Sequence, residues 1–180
     1  MLFKPLSFST ALSVVALVSM VPGTNMAHAS PLPGGASSLV ETYDDWGVVC
    51  QAPGNVTSCL VRQVQSNNQT KQVVLTAEIV KLPDGKFVGA LMLPLGLSLA
   101  QGVQLKLGDA PLGGARPFST CLPQGCLVPI DITDDVITKL KTGSALDVAV
   151  TAAAPAQPLT FTVSLKGLPA ALTRINELTK

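Results

Sequence analysis

Short segments in which apolar and polar side chains alternate restrict the fold of this chain more than any other feature. Strict alternation places every second side chain on one face, which is the pattern of a half-buried β-strand. The clearest example is Val-Gln-Leu-Lys-Leu at residues 103–107. Eight segments separated by turn residues are predicted strands: 47–51, 58–65, 72–82, 86–93, 103–107, 126–132, 145–151 and 159–165. About eight strands at this spacing predict a mainly β fold of the sandwich type.

One or two short helices are predicted towards the C-terminal end of the chain. Thr133 can cap the first, over about 133–143, because two aspartates follow it and two lysines precede the closing glycine. The second spans about 169–178 and carries an apolar stripe at helical spacing, made of Leu168, Leu172, Ile175 and Leu178. Such a stripe favours packing against the sheet over binding a partner.

The first 29 residues have the features of a secretory signal peptide. Lys4 provides a positive charge, residues 11–21 form an apolar run, and Ala-His-Ala at 27–29 provides a cleavage site with small residues. The apolar run is shorter than the roughly 20 residues that span a bilayer, so a retained anchor is disfavoured. We therefore predict a signal peptide at 1–29, a flexible Pro-, Gly- and Ser-rich lead-in at 30–45, and a folded domain at 46–180 with no transmembrane segment.

Removal of the signal peptide narrows the chemistry that the mature chain can perform. The sequence has a single histidine, His28, and it lies in the predicted signal peptide. Without it, neither Ser-His-Asp nor Cys-His catalysis nor a histidine-ligated metal site is possible. The 12 basic and 11 acidic side chains become balanced once Lys4 is removed, which argues against a nucleic-acid partner.

Acidic side chains are the remaining candidates for catalysis. Asp131, Asp134 and Asp135 lie close together in sequence and could supply a paired acid and base. Asp134 and Asp135 also fit the first turn of the predicted helix, where negative charge is stabilising, and we favour this structural interpretation. We predict no enzymatic activity, no catalytic residues, no cofactor and no metal site.

Four cysteines, Cys50, Cys59, Cys121 and Cys126, lie in the predicted mature chain. An even number of cysteines in an exported protein favours disulfide bonds. Three connectivities are possible, and closure of short loops favours pairing Cys50 with Cys59 and Cys121 with Cys126. A zinc site is less compatible, since the first pair is separated by eight residues, and a redox centre of the C-x-x-C type is absent.

Several segments together resemble the invasion-associated locus B family of exported proteobacterial proteins. The resemblance runs from about residue 46 to the C-terminus, and the cysteine-containing segment at 118–126 is its most specific part. The matching segments are WGVVC at 46–50, CLV at 59–61, LPLGL at 93–97, GVQL at 102–105, FSTCLPQGC at 118–126 and SLKGL at 164–168.

The resemblance implies an immunoglobulin-like β-sandwich, export to the envelope and disulfide bonds on the four cysteines. Some family members are linked to invasion of host cells, notably red blood cells. We therefore expect a non-enzymatic binding module associated with invasion and virulence, located in the periplasm, at the outer surface or secreted. Its partner would be an unidentified protein or an envelope or host-surface ligand. The alternative is a periplasmic accessory protein that supports envelope integrity or stress tolerance.

Overall fold

The computed structural model describes residues 31–54 and 56–179, so the expected signal peptide lies outside the described residues. The strands are β1 (Ser38–Tyr43), β2 (Trp46–Gln51), β3 (Ser58–Ser66), β4 (Val73–Lys81), β5 (Phe87–Leu93), β6 (Gln104–Leu107), β7 (Ala110–Pro111), β8 (Thr120–Leu122), β9 (Gly125–Ile132), β10 (Ala145–Thr151) and β11 (Pro158–Ser164). The helices are α1 (Asp134–Thr142) and α2 (Leu168–Leu178), with short 3-10 turns at Pro33–Gly35 and Leu99–Gln101.

The strands form two antiparallel sheets that pack into a sandwich. The large sheet has seven strands in the order β1-β2-β3-β4-β5-β9-β8, and the small sheet has four in the order β11-β10-β6-β7. The chain leaves the large sheet after β5, forms β6 and β7, and returns through β8 and β9. The mainly β fold is confirmed, and each of the eight predicted strands is present with small shifts at its ends.

The flexible lead-in predicted for 30–45 is wrong for Ser38–Tyr43, which forms β1. This strand pairs with β2 along its whole length, from Ser38 opposite Gln51 to Tyr43 opposite Trp46. Its inward-facing residues include Glu41, and a charge at that position breaks the apolar alternation that predicts a strand. Two further strands that the sequence did not predict, β7 and β8, have only two and three residues and are too short to show a pattern.

Both helices follow the sequence prediction closely. The Thr133 side chain accepts a hydrogen bond from the backbone N–H of Val136, as expected of an N-cap residue. Helix α2 lies against β1, β2 and β3. Its fully buried residues are Leu168, Ala171, Leu172 and Ile175. The apolar stripe therefore belongs to the core.

Two disulfide bonds connect neighbouring strands. Cys50 in β2 is bonded to Cys59 in β3, and Cys121 in β8 is bonded to Cys126 in β9. Each pair occupies directly opposite positions in the antiparallel register. Of the three possible connectivities, the structure has the local one.

A candidate binding surface on the large sheet

The large sheet has an outer face that is turned away from the small sheet and is rich in apolar side chains. Register places its residues in three rows that cross the strands. The first row is Val49, Leu60, Val80, Val88 and Asp131, the second is Gly47, Arg62, Glu78, Ala90 and Pro129, and the third is Val64, Thr76, Met92, Leu127 and Thr120. We call these three rows the outer face. An ion pair thus lies between two mostly apolar rows.

A groove of about 540 Å³ runs along the third row of the outer face. Its lining residues are Arg62, Val64, Gln72, Val73, Thr76, Glu78, Ala90, Met92, Gln124 and Leu127. Val64 and Val73 are 47% and 52% exposed, so large apolar side chains meet solvent here. Exposed apolar patches with a polar rim are typical of interaction sites.

Polar groups along one side of the groove can orient a bound partner. The Arg62 Nε and Glu78 Oε1 atoms are 3.1 Å apart, and both side chains remain partly exposed. An exposed ion pair contributes little to stability. Arg62 and Glu78 can therefore separate and bind charged groups of a ligand at a small cost in free energy. Met92 in the same wall has an unbranched, polarisable side chain that adapts to differently shaped partners.

The acidic residues considered for catalysis do not form an isolated pair. Asp131 and Asp134 line one depression of about 730 Å³ together with Asp84, whereas Asp135 does not line it. An Arg116 Nη1 to Asp131 Oδ2 distance of 3.1 Å places a cation beside Asp131, and Lys139 Nζ lies 2.7 Å from Asp135 Oδ2.

The surroundings of Asp84 in this depression favour its ionised form. The backbone N–H of Lys86 donates a hydrogen bond to the Asp84 side chain and holds the pKa of that carboxyl below its ordinary value. A carboxyl of this kind is poorly suited to donating a proton near neutral pH. Within the described residues, no three histidine, cysteine, aspartate or glutamate side chains are arranged to hold a metal ion.

The sequence analysis did not identify the outer face, although the sequence contains a signal for it. Residues 87–93 read Phe-Val-Gly-Ala-Leu-Met-Leu, which is apolar at nearly every position instead of at every second one. A strand of that kind is apolar on both faces. Only the pairing of β3, β4, β5 and β9 shows that the second apolar face remains at the surface.

Comparison with known proteins decides the family. A model of the family described as invasion associated locus B (IalB) protein matches residues 46–176. The chain belongs to this family. All three rows of the outer face lie inside the matched residues of the invasion associated locus B family.

Curated relatives of this chain are named invasion protein B or a homolog of it. A Brucella abortus (strain 2308) protein named invasion protein B homolog is 51% identical over 154 residues, covering 86% of this chain and 88% of the relative. Invasion protein B of Bartonella bacilliformis is 30% identical over 181 residues and covers 99% of this chain and 97% of the relative.

A solved structure supports the same relationship. The crystal structure of invasion associated protein B from Bartonella henselae is 32% identical in sequence and aligns with a TM-score of 0.72. The alignment covers 78% of this chain and 97% of the other.

Neither helix in the described part of this chain has the length and apolarity needed to cross a membrane.

Proposed function

We propose that this protein is exported and acts as a non-enzymatic binding module that is associated with the invasion of host cells. The outer face carries the proposal, because it combines exposed apolar side chains with a polar pair inside one groove. The names of the family's curated relatives support the association with invasion.

Binding fits the residues at the surface better than catalysis does. Two of the acidic candidates are engaged with cations, Asp131 with Arg116 and Asp135 with Lys139, and the neighbouring Asp84 is engaged with Lys86. The predicted mature chain also lacks histidine, the commonest general base. The partner we infer is a protein or surface ligand that places apolar groups along the third row and a charged group beside Arg62 or Glu78.

Location is the first property to test, since contact with a host requires exposure outside the cell. Protease is added to intact cells and to cells with a permeabilised outer membrane, with a known periplasmic protein as the leakage control. Digestion in intact cells supports contact with the host. Protection until permeabilisation contradicts it and favours the alternative role in envelope integrity or stress tolerance.

The contribution of the outer face is tested with two matched substitutions. Val64 on the outer face and Leu99 in a 3-10 turn are both 47% exposed, so the two substitutions place a charge at equally exposed positions. We expect Val64→Glu to reduce host-cell association at least about tenfold, because it buries a charge in an apolar contact, and Leu99→Glu to leave it unchanged. Equal behaviour of the two variants would remove the outer face from the proposal.

A further inference from the structure

The edges of the two sheets differ in how they are protected against pairing with another strand. Unpaired edges bind additional strands unless they are shortened, covered or interrupted. At one edge of the small sheet, β7 has only two residues, one of them Pro111. At one edge of the large sheet, β8 has three residues and is bonded to its neighbour through Cys121 and Cys126. Both edges are too short to act as templates.

Side chains of the large sheet cover the remaining edge of the small sheet, which is β11. Gln63 Nε2 donates to the carbonyl oxygen of Ser164 at 2.9 Å, and Gln65 Nε2 donates to that of Thr162 at 2.7 Å. The indole N–H of Trp46 donates to the Ser164 carbonyl as well. Strand β11 also begins with Pro158, which has no N–H to donate.

Strand β1 is the long edge that has none of these protections. Its six residues contain no proline and no lysine. The hydrogen bond from the Ala52 N–H to the Ser37 carbonyl shows which residues of β1 are hydrogen-bonded to β2 and which are not, since the two kinds alternate along an antiparallel pair. Every second residue from Ser37 therefore bonds to β2, and the residues between them turn their N–H and C=O groups away from it. These residues are Ser38, Val40 and Thr42.

The charge on β1 does not guard this edge. Glu41 is its single charged residue, and Arg174 donates hydrogen bonds to both of its carboxylate oxygens at 2.8 and 2.9 Å. The carboxylate is thus neutralised by a residue of the same chain. At the centre of the edge, Val40 is 72% exposed, the highest value among the exposed large apolar side chains of the described part.

We propose that β1 pairs with β1 of a second copy of this chain, so that two large sheets join edge to edge. The argument for a second copy is that the outward-facing residues are self-complementary in antiparallel register. A two-fold axis through Val40 places Val40 opposite the Val40 of the partner subunit, and it places each Ser38 opposite a Thr42. Pairs of β-branched apolar residues and pairs of hydroxyl residues both stabilise antiparallel strands.

The arrangement would place the outer faces of both subunits on one side of the dimer. A two-fold axis of this kind is perpendicular to the sheet, so both outer faces point to the same side. The first row of the outer face then continues through Val40, which lies opposite Val49, into the other subunit. The two grooves would act together on one surface, which raises avidity without a new contact.

The test measures the mass of the protein in solution after expression from its full coding sequence. Because strand pairing buries a small area, we expect a weak dimer that forms at about 100 µM protein and dissociates on dilution. Val40→Pro removes an N–H that points away from β2, so the fold should be retained while the dimer weakens at least about tenfold. Thermal unfolding of this variant checks that the fold is intact.

A crosslinking experiment locates the contact. Hydrogen-bonded antiparallel partners have Cα atoms about 5.5 Å apart, which permits a disulfide bond. Val40→Cys should therefore form disulfide-linked dimers, whereas Val64→Cys on the outer face should not. A protein that stays monomeric at about 500 µM overturns the proposal. A dimer that persists in Val40→Pro, without crosslinking through Val40→Cys, also overturns it, since the contact then lies elsewhere.

Discussion

Gln63 in β3 completes the hydrogen bonding of Ser164, a residue 101 positions later at the end of β11. Its Nε2 donates to the Ser164 carbonyl oxygen at 2.9 Å, and its Oε1 accepts from the Ser164 N–H at 3.2 Å. The side chain of Gln63 is buried, with 5% of the residue exposed. A glutamine side chain thus takes the place of a further strand and links the two sheets of the sandwich.

We predict that Gln63→Ala destabilises the protein by about 2 kcal/mol, because it leaves the partly buried Ser164 N–H without its partner. Gln65→Ala is the control: it removes an exposed hydrogen bond to Thr162 and a hydrogen bond to Gln63 Oε1, which still accepts from the Ser164 N–H, so the loss should stay below about 1 kcal/mol. Urea unfolding of both variants measures the difference. Equal losses would mean that the link between Gln63 and Ser164 does not stabilise the sandwich.

The pair formed by Glu41 and Arg174 predicts a dependence of stability on pH. The hydrogen bonds from Arg174 hold the pKa of Glu41 below its ordinary value. A carboxyl with a lowered pKa in the folded state contributes stability above its unfolded pKa and loses it as the pH falls through the folded pKa.

We therefore expect wild type to be more stable than Glu41→Gln at about pH 6, with a difference that narrows as the pH is lowered to about 3. Thermal unfolding of both proteins across this range measures it. A difference that stays constant with pH would contradict ionisation of Glu41 as its source.

Two glycines with nearly the same positive φ separate the effect of the backbone angle from the effect of crowding by neighbouring atoms. Gly167 and Gly96 have φ values of 86° and 89°. A Cβ atom at Gly167 would overlap the carbonyl oxygen of Tyr43, whereas a Cβ at Gly96 would meet no atom within 4 Å.

We predict that Gly96→Ala lowers the free energy of unfolding by about 1 to 2 kcal/mol, because alanine is disfavoured at a positive φ. Gly167→Ala should cost about 3 kcal/mol or more, since Tyr43 must also move. The free energies of unfolding in urea compare the two. Similar costs would show that the turn before α2 can shift away from the β1–β2 hairpin.

The two disulfide bonds should differ in their response to reductant. Cys121 is exposed, whereas Cys50 and Cys59 are 0% and 2% exposed. In limited dithiothreitol followed by alkylation, Cys121 and Cys126 should be labelled first, as mass spectrometry of the peptides will show. Loss of the disulfide bond that closes this short loop should lower the free energy of unfolding by about 2 kcal/mol. Loss of the bond between Cys50 and Cys59, which closes a longer loop, should lower it by about 3 kcal/mol. Earlier labelling of Cys50 or Cys59 would contradict this order.

The sequence predicted those parts of the fold whose signals are local. Strand β10 has the bounds expected for 145–151, and α1 begins directly after its Thr133 cap. Alternation, capping and short-range cysteine closure all depend on residues within a few positions of one another. These properties can therefore be read from the sequence before any tertiary contact is known.

The tertiary structure decided the features that depend on distant residues. Strand β1 could not be predicted because its inward-facing Glu41 is compensated by Arg174, which lies 133 residues away. The protection of β11 depends likewise on Gln63, and the exposure of the outer face depends on which of two apolar sides the small sheet covers. Burial and hydrogen bonding are properties of groups that meet in space, so a sequence pattern specifies the strands but not which of their faces and edges remain open.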